Sequence, residues 1–295
     1  MNPPPALAGA LSAALGCPVA SAPGPAVHGG SINRCWCWPT AQGPVFVKLA
    51  AGDTPADFNA ERHGLELLAR SGAVRVPRPL AVAACAAGSF LVLEWMDLRD
   101  PAPVDEARFG EAVAALHRCR ESSYGLEQDN LIGATVQPNG WLDDWVAFFR
   151  ERRLQHQLGL AAGLGHGGRL QARGERLVEV MHVFFSSYRP TPSLLHGDLW
   201  SGNRAVDAAG VPVLFDPACY FGDREADLAM THLFGGFGPR FYAAYVAAWP
   251  LDAAAGTRRD LYNLYHVLNH LNLFGGNYRA QAEAMIDRLL AAAGH

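Results

Sequence analysis

Apolar and polar residues follow a strand-like pattern over the first third of the chain and a helical one after it. "GSINRCWCWPT" (30–40) and "GPVFVKLA" (43–50) read as two strands, with Pro39 to Pro44 marking a hairpin connection. "TPADFNAERHGLELLARSG" (54–72) has helical spacing, Thr54 or Asp57 available as a cap, and Gly72 near its end. "VPRPLAVAACAAGSFLVLEWM" (76–96) reads as an extended entry, a strand, a turn and another strand. Strands, one helix and more strands predict a small α+β lobe.

From Asp97 onward, "DEARFGEAVAALHRC", "GWLDDWVAFFRERRLQHQL", "RLQARGERLVEVMHVFFSSY", "ADLAMTHLF", "RFYAAYVAAW" and "TRRDLYNLYHVLNHLNLF" all space their apolar residues as helices do. A strand-like insert, "NRAVDAAGVPVLFDP", sits among them, and the switch of pattern falls at "EWMDLRDPAP". The expected architecture is therefore bilobal and α+β. Residues 1–96 form a small antiparallel-sheet lobe with one helix, and 97–295 form a larger, mainly helical lobe. Trp141, Trp145, Phe148 and Phe149 recur at helical spacing and are expected in the core.

Composition narrows the classes. A formal charge of −4 and a pI near 6.2 lack the basic stripe of a nucleic-acid-binding protein. The short basic pairs Arg152-Arg153 and Arg258-Arg259 read as solvated helix faces. The longest apolar stretch, Leu80 to Leu93, is broken by Gly88-Ser89 and reads as two buried strands, so no membrane span is expected. The first cation is Arg34, so the apolar N-terminus lacks a leader's basic segment. The six cysteines show no C-x-x-C spacing, which fits reduced thiols in a cytoplasmic protein and no zinc site. None of these features sets an oligomeric state.

The densest polar constellation is "LLHGDLWSGN" followed by "VLFDP". A hairpin through "RAVDAAGVPVLF" returns the chain to its start, placing Asp216 beside Asn203. A carboxylate and an amide oxygen there suit a hard cation such as Mg²⁺ that carries phosphate. Asp198, five residues before Asn203, would then face the metal-bound substrate. The D-x-x-x-x-N spacing with a following Asp resembles the protein-kinase-like fold, which performs phosphoryl transfer.

That fold needs a strand lysine on the nucleotide phosphates, held by a helix glutamate. Lys48 is the single lysine among 24 Lys and Arg residues. Phe58, Glu61, Leu65 and Leu68 share one helix face, so Glu61 lies on an apolar stripe where a carboxylate is costly unless paired. Glu66 falls off that stripe. A compact ammonium can bridge a glutamate and phosphates where a wider guanidinium would need another geometry. In "HGGSIN", Gly29 and Gly30 would let backbone N–H groups approach phosphates, with Ser31 adding a hydroxyl; a plain glycine turn would look the same.

The chain has no D-F-G, no A-P-E and no long segment after Asp216, which favours a small-molecule acceptor over a peptide platform. "LLHGDLWSGN", "DPACYFGDREADLAMTHLFGGF", "GGSIN", "LYHVLNHLNLFG" and "GLEQDNLIGATVQPNGWLDDWVAFFRERRL" together resemble the fructosamine/ketosamine-3-kinase family, from about Gly29 to Tyr278. Aminoglycoside- and choline-kinase-like enzymes share only the sparse Asp/Asn/Asp pattern. The resemblance implies ATP-dependent phosphorylation of the sugar 3-hydroxyl of ketosamines, glycation adducts of free or protein-borne amines, followed by breakdown that frees the amine. It implies Asp198 as base, Asn203 and Asp216 as Mg²⁺ ligands, and Lys48 with Glu61 as phosphate clamp. It also implies that Glu94, Trp95 and Met96 hold the adenine by backbone groups, and that Asp227 braces the catalytic loop.

Two departures stand out. Ser31 stands where some members carry a cysteine associated with redox control, while Cys35 and Cys37 lie close by. "RCWCW" replaces a small residue and a tyrosine. On the acceptor side, Trp200 could stack on a sugar's C–H face. His266, Asn269 and His270 line one helix, either shaping the acceptor pocket or as buried, satisfied polar groups. Two rival chemistries remain: another small-molecule kinase, and a metal-dependent phosphohydrolase using His196, Asp198 and Asp216, which would have no use for Lys48 with Glu61. A sensor that binds nucleotide without turnover has no need of the intact Asp/Asn/Asp set.

Overall fold

The computed structural model describes residues 3–24, 27, 33–51 and 55–295. Two compact units result: Met1–Asp105 with Gly202–Pro217, and Glu106–Ser201 with Ala218–His295. In the first, β1 (Arg34–Thr40), β2 (Gly43–Ala50), β3 (Pro79–Cys85) and β4 (Gly88–Glu94) form an antiparallel sheet in the order β1-β2-β4-β3. Side chains alternate across a strand. Trp36, Trp38, Val47, Leu49, Phe90 and Val92 therefore share one buried face, which Leu7 and Leu11 of helix α1 (Leu7–Leu15) help to cover. Lys48 has the opposite parity and belongs to the other face, with its register partners Cys35 and Leu91. Helix α2 (Pro55–Ser71) packs on this sheet and buries Phe58, Leu65 and Leu68.

Three local expectations are corrected. Pro39 and Pro44 do not connect the hairpin but pair with each other across it, leaving Ala41-Gln42 as the turn. This is tolerated because β1 is an edge strand and the β2–β4 pairing starts only at Val45. The apolar N-terminus folds as a helix, α1, a second one beside the single helix expected before residue 97. Helix α2 opens at Pro55, so Asp57 lies in its first turn rather than at its cap; Thr54 lies outside the described residues.

The hairpin of Arg204–Asp207 and Pro212–Leu214 belongs to the first unit, where the short strand Leu98–Arg99 extends it along Asp207 and Val206. Arg99 bonds Asp105 at 2.8 Å, and Leu214 N–H donates to Arg75 C=O at 2.9 Å. These ties join the hairpin and residues 98–105 to the first unit.

The second unit is mainly helical. The long helix Ala255–Phe274 packs on Arg224–Leu233 and Tyr278–Ala292, and a strand pair, Ser193–Leu195 with Tyr220–Gly222, brackets the loop carrying Asp198. Trp145, Phe148 and Phe149 are buried as expected, but Trp141 is 42 % exposed; it precedes the helix they share and lies tilted against the Phe221 ring at 6.0 Å instead. The basic pairs are not wholly solvated. A π-helical stretch, Phe149–Gln155, turns Arg153 into the core. Its guanidinium lies 4.1 Å from the Tyr220 ring centroid and donates to Asn139 Oδ1 at 2.9 Å. Arg258 is buried in a two-pronged pair with Glu225 at 2.8 and 3.0 Å. Among the described residues no helix is long and apolar enough to cross a membrane.

Gly110 lets helix Glu106–His117 meet helix Pro239–Ala248 closely: an added Cβ would fall 2.3 Å from Phe241 O and 2.9 Å from Tyr245 N. Because both neighbours are backbone atoms, the helices would have to part. Gly110→Ala should destabilise the protein by about 1–3 kcal/mol, read as a lower urea midpoint at unchanged slope.

Candidate active site

In the first unit, three charged residues meet. Lys48 is 5 % exposed, and its Nζ donates to Glu61 Oε1 at 2.7 Å and also to Asp216 Oδ1. Burial alone would favour a neutral amine, but Asp216 and Glu61 outweigh it and push the Lys48 pKa above its ordinary value. Lys48 is therefore held as an ammonium. For Glu61, burial works to raise the pKa while the Lys48 ammonium opposes it. Removing Lys48 would leave the largely buried Glu61 carboxylate without its cation, a loss of about 3–5 kcal/mol.

Asp216 reaches Lys48 from a strained position. Its φ of +55° makes it the one left-handed non-glycine residue among the described residues. Phe215 N–H donates to Asn203 C=O at 3.1 Å, and Asn203 Nδ2 donates to Asp216 C=O at 3.4 Å. The hairpin thus brings Asn203 and Asp216 together. The Asp207 carboxylate closes its turn by accepting from Ala209 and Val211 N–H at 2.9 and 2.8 Å.

Asn203 turns its amide nitrogen toward the Asp216 main chain, and the Asp216 side chain is 36 % exposed. The donor set is one amide and one carboxylate, both hard oxygen groups. It suits Mg²⁺ that arrives with phosphate oxygens to complete its shell. Glu94 closes β4, its N–H bonded to Arg78 C=O at 2.9 Å, and half-buried Trp95 and Met96 follow. Gly29, Gly30 and Ser31 lie outside the described residues.

In the second unit, Asp198 is half-buried on the loop after strand Ser193–Leu195, and its own N–H meets His196 Nδ1 at 3.3 Å. Asp227 sets this loop. One of its oxygens accepts from His196 N–H at 2.7 Å, the other from Gly197 N–H at 2.9 Å. His117 Nε2 meets Asp227 at 3.1 Å and is itself oriented by Tyr245 at 2.8 Å. Burial opposes ionisation of Asp227, but these hydrogen bonds and the two histidines hold its pKa below the usual carboxylate value. Gly197 has φ +82° and sits against Ala218 O, where a Cβ would come within 1.9 Å. Only glycine fits this turn.

Trp200 and His270, the two residues expected at the acceptor, each meet the Phe234 ring, at 6.2 Å and 4.9 Å respectively. His266 is buried, and burial pushes its pKa down to about 3, so it is a neutral core imidazole at physiological pH. Asn269 is buried and accepts from Gln157 at 3.3 Å. Sequence reasoning missed the Lys48–Asp216 bond and the role of His117. Position 216 carries no mark of its backbone angle, and His117 lies 110 residues from Asp227 in the chain.

Comparison with known proteins gives a consistent picture. A model described as fructosamine kinase matches residues 5–292. A Synechocystis protein named a probable ketoamine kinase is 44 % identical over 265 residues, covering 90 % of this chain and 89 % of the relative. A chloroplastic protein-ribulosamine 3-kinase of Arabidopsis thaliana is 41 % identical, covering 90 % of this chain and 81 % of its own. A solved Thermobifida fusca protein described as a fructosamine-3-kinase superposes with a TM-score of 0.85 at 30 % identity, covering 98 % of this chain and 100 % of that one. The aminoglycoside phosphotransferase APH(4)-Ia, at 14 % identity and a TM-score of 0.65 over 92 % and 95 % of the chains, shares the fold alone.

Asp227→Asn should cost about 2–3 kcal/mol, because its amide would turn N–H groups toward one of two backbone donors. Urea denaturation followed by circular dichroism measures it; wild-type stability would show that the loop does not depend on that carboxylate.

Proposed function

The chain belongs to the fructosamine kinase family, and from that premise we propose that it transfers the γ-phosphoryl group of ATP to the sugar 3-hydroxyl of ketoamines. The observation that carries this reading is the buried Lys48 ammonium shared by Glu61 and Asp216. A phosphate clamp needs such a cation, and a phosphohydrolase working through His196, Asp198 and Asp216 does not.

In this mechanism Lys48, oriented by Glu61, meets the nucleotide phosphates. Asp216 and Asn203 would hold Mg²⁺, which supplies neutralisation of phosphate charge. Asp198 accepts the proton of the sugar 3-hydroxyl as its oxygen bonds to the γ-phosphorus, and the bond to the β-phosphate oxygen breaks to leave ADP. Asp227 touches no substrate; it positions Asp198 through the His196 and Gly197 amides. The backbone of Glu94 to Met96 would hold the adenine. In the product, enolisation toward the amine-bearing carbon makes the 3-phosphate an allylic leaving group. Its loss, then hydrolysis of the resulting imine, releases the amine.

ADP release with Mg-ATP over fructosyl-lysine, ribulosyl-lysine, free sugars, choline and an aminoglycoside tests the substrate class. Selective turnover of the ketoamines is expected; activity confined to another alcohol would keep the fold and discard the substrate. Asp198→Ala should lower kcat by about 10²–10⁴ in a folded protein, and near-normal turnover would remove Asp198 from the base role. Lys48→Arg should raise KM for ATP by about tenfold or more; unchanged kinetics would mean that the single lysine serves structure only.

A further inference from the structure

A short hairpin in the second unit turns its polar side inward. Strands Asn130–Ile132 and Thr135–Gln137 pair so that Asn130 lies opposite Gln137 and Ile132 opposite Thr135, and alternation puts these four side chains on one face. That face is the buried one. Gln137 is fully buried and Asn130, Ile132 and Thr135 nearly so, while Val136 on the other face is 52 % exposed. Burying two amides in place of a valine costs free energy that their hydrogen bonds only offset. The mechanism above uses neither amide.

The two amides lie within a directed chain of hydrogen bonds. It starts at buried Arg153, whose guanidinium can only donate, and whose Nη2 meets Asn139 Oδ1 at 2.9 Å. Asn139 must therefore present its NH₂ group onward, and Nδ2 donates to Asn130 Oδ1 at 3.2 Å. Gln137 Nε2 donates to the same oxygen at 2.8 Å, and Tyr265 OH fixes Gln137 by donating to its Oε1 at 2.8 Å. Both amides are thereby turned with N–H groups toward the main chain. Gln137 Nε2 donates to Ala218 C=O at 3.0 Å, and Asn130 Nδ2 to Cys219 C=O at 2.7 Å.

That stretch of main chain lies against the loop carrying Asp198. Ala218 N–H donates to His196 C=O at 2.9 Å, and Ala218 O is the atom that Gly197 approaches too closely for any Cβ. Asp227 grips His196 and Gly197 by their N–H groups. The turn is thus held at its N–H groups by a carboxylate and at a C=O by a peptide that the amides fix. We infer that Gln137 and Asn130 are positioning residues for phosphoryl transfer: by holding the backbone of Ala218 and Cys219, they set where the turn at His196 and Gly197 places Asp198. The inference rests on the kinase reading, with Asp198 as the base. It gives the inverted hairpin and the buried Arg153 a common purpose, since an apolar hairpin could cover this backbone but could not hold two carbonyls.

The test is Gln137→Met, which keeps the side chain's length and removes its polar groups, assayed with Mg-ATP and ribulosyl-lysine and titrated calorimetrically with Mg-ADP. A kcat lower by about tenfold or more is expected, at unchanged KM for ATP and with the wild-type number of ADP sites per chain. Hydrogen exchange of the amides of residues 196–199 should speed in parallel. Tyr265→Phe, which removes the donor to Gln137 Oε1 with little change of shape, should act the same way to a smaller degree, and it carries the test if Gln137→Met does not fold. Ile286→Ala, a buried change in helix Tyr278–Ala292, controls for lost stability and should leave kcat per ADP site and that exchange at wild-type values. Wild-type kcat in whichever of the two variants folds, or a kcat that falls only in step with the number of ADP sites, overturns the inference while the kinase reading stands. If the wild-type protein turns over no ketoamine, the kinase reading falls and this inference with it.

Discussion

The first unit depends on a buried ammonium that cannot be left alone. Lys48 sits on the α2 side of the sheet, where burial would strip its charge unless carboxylates meet it. Glu61 comes from a helix face that is otherwise apolar, and Asp216 comes from the end of a hairpin far along the chain. The ion pairs therefore fix more than a side chain: they tie β2, α2 and the 204–214 hairpin into one arrangement. The left-handed backbone at Asp216 is the local strain that this arrangement sustains.

The second unit solves a similar problem with the opposite charge. Asp227 is a buried carboxylate whose lost hydration is replaced by two backbone N–H groups and a histidine. The donors it collects belong to His196 and Gly197, so satisfying one buried charge sets the backbone just before Asp198. In each unit, then, a buried ionisable group that needs partners positions the candidate site residues, and apolar packing supplies the frame. Arg153 and Arg258 show the same rule away from the site, one caged by aromatic rings and carbonyl and amide oxygens, the other held by Glu225.

Much of this was legible in the sequence where chemistry and period agree. The strand alternation around Lys48, the helical spacing of Phe58, Glu61, Leu65 and Leu68, and the hairpin length between Asn203 and Asp216 are local signals, and each places its residues correctly. What stayed hidden depends on partners distant in the chain or on backbone geometry. Arg152-Arg153 looks like a solvated pair until a π-helical turn rotates Arg153 inward. The N-terminal apolar run lacked a cation and so said little, yet Leu7 and Leu11 complete the sheet's core. The contact of Phe234 with His270 was invisible because Phe234 follows the end of one helix and His270 lies on another, and only packing shows that they touch.

The claim on which the account turns is the site of phosphorylation, and the structure of the product tests it most directly. Two-dimensional ³¹P–¹H correlation spectroscopy of a ribulosyl-amine after reaction with Mg-ATP reads which sugar carbon carries the phosphate. The account predicts a phosphomonoester coupled to the proton on carbon 3, followed by its loss as the free amine appears. A phosphate coupled to protons on any other carbon, or inorganic phosphate formed with the adduct intact, would contradict it.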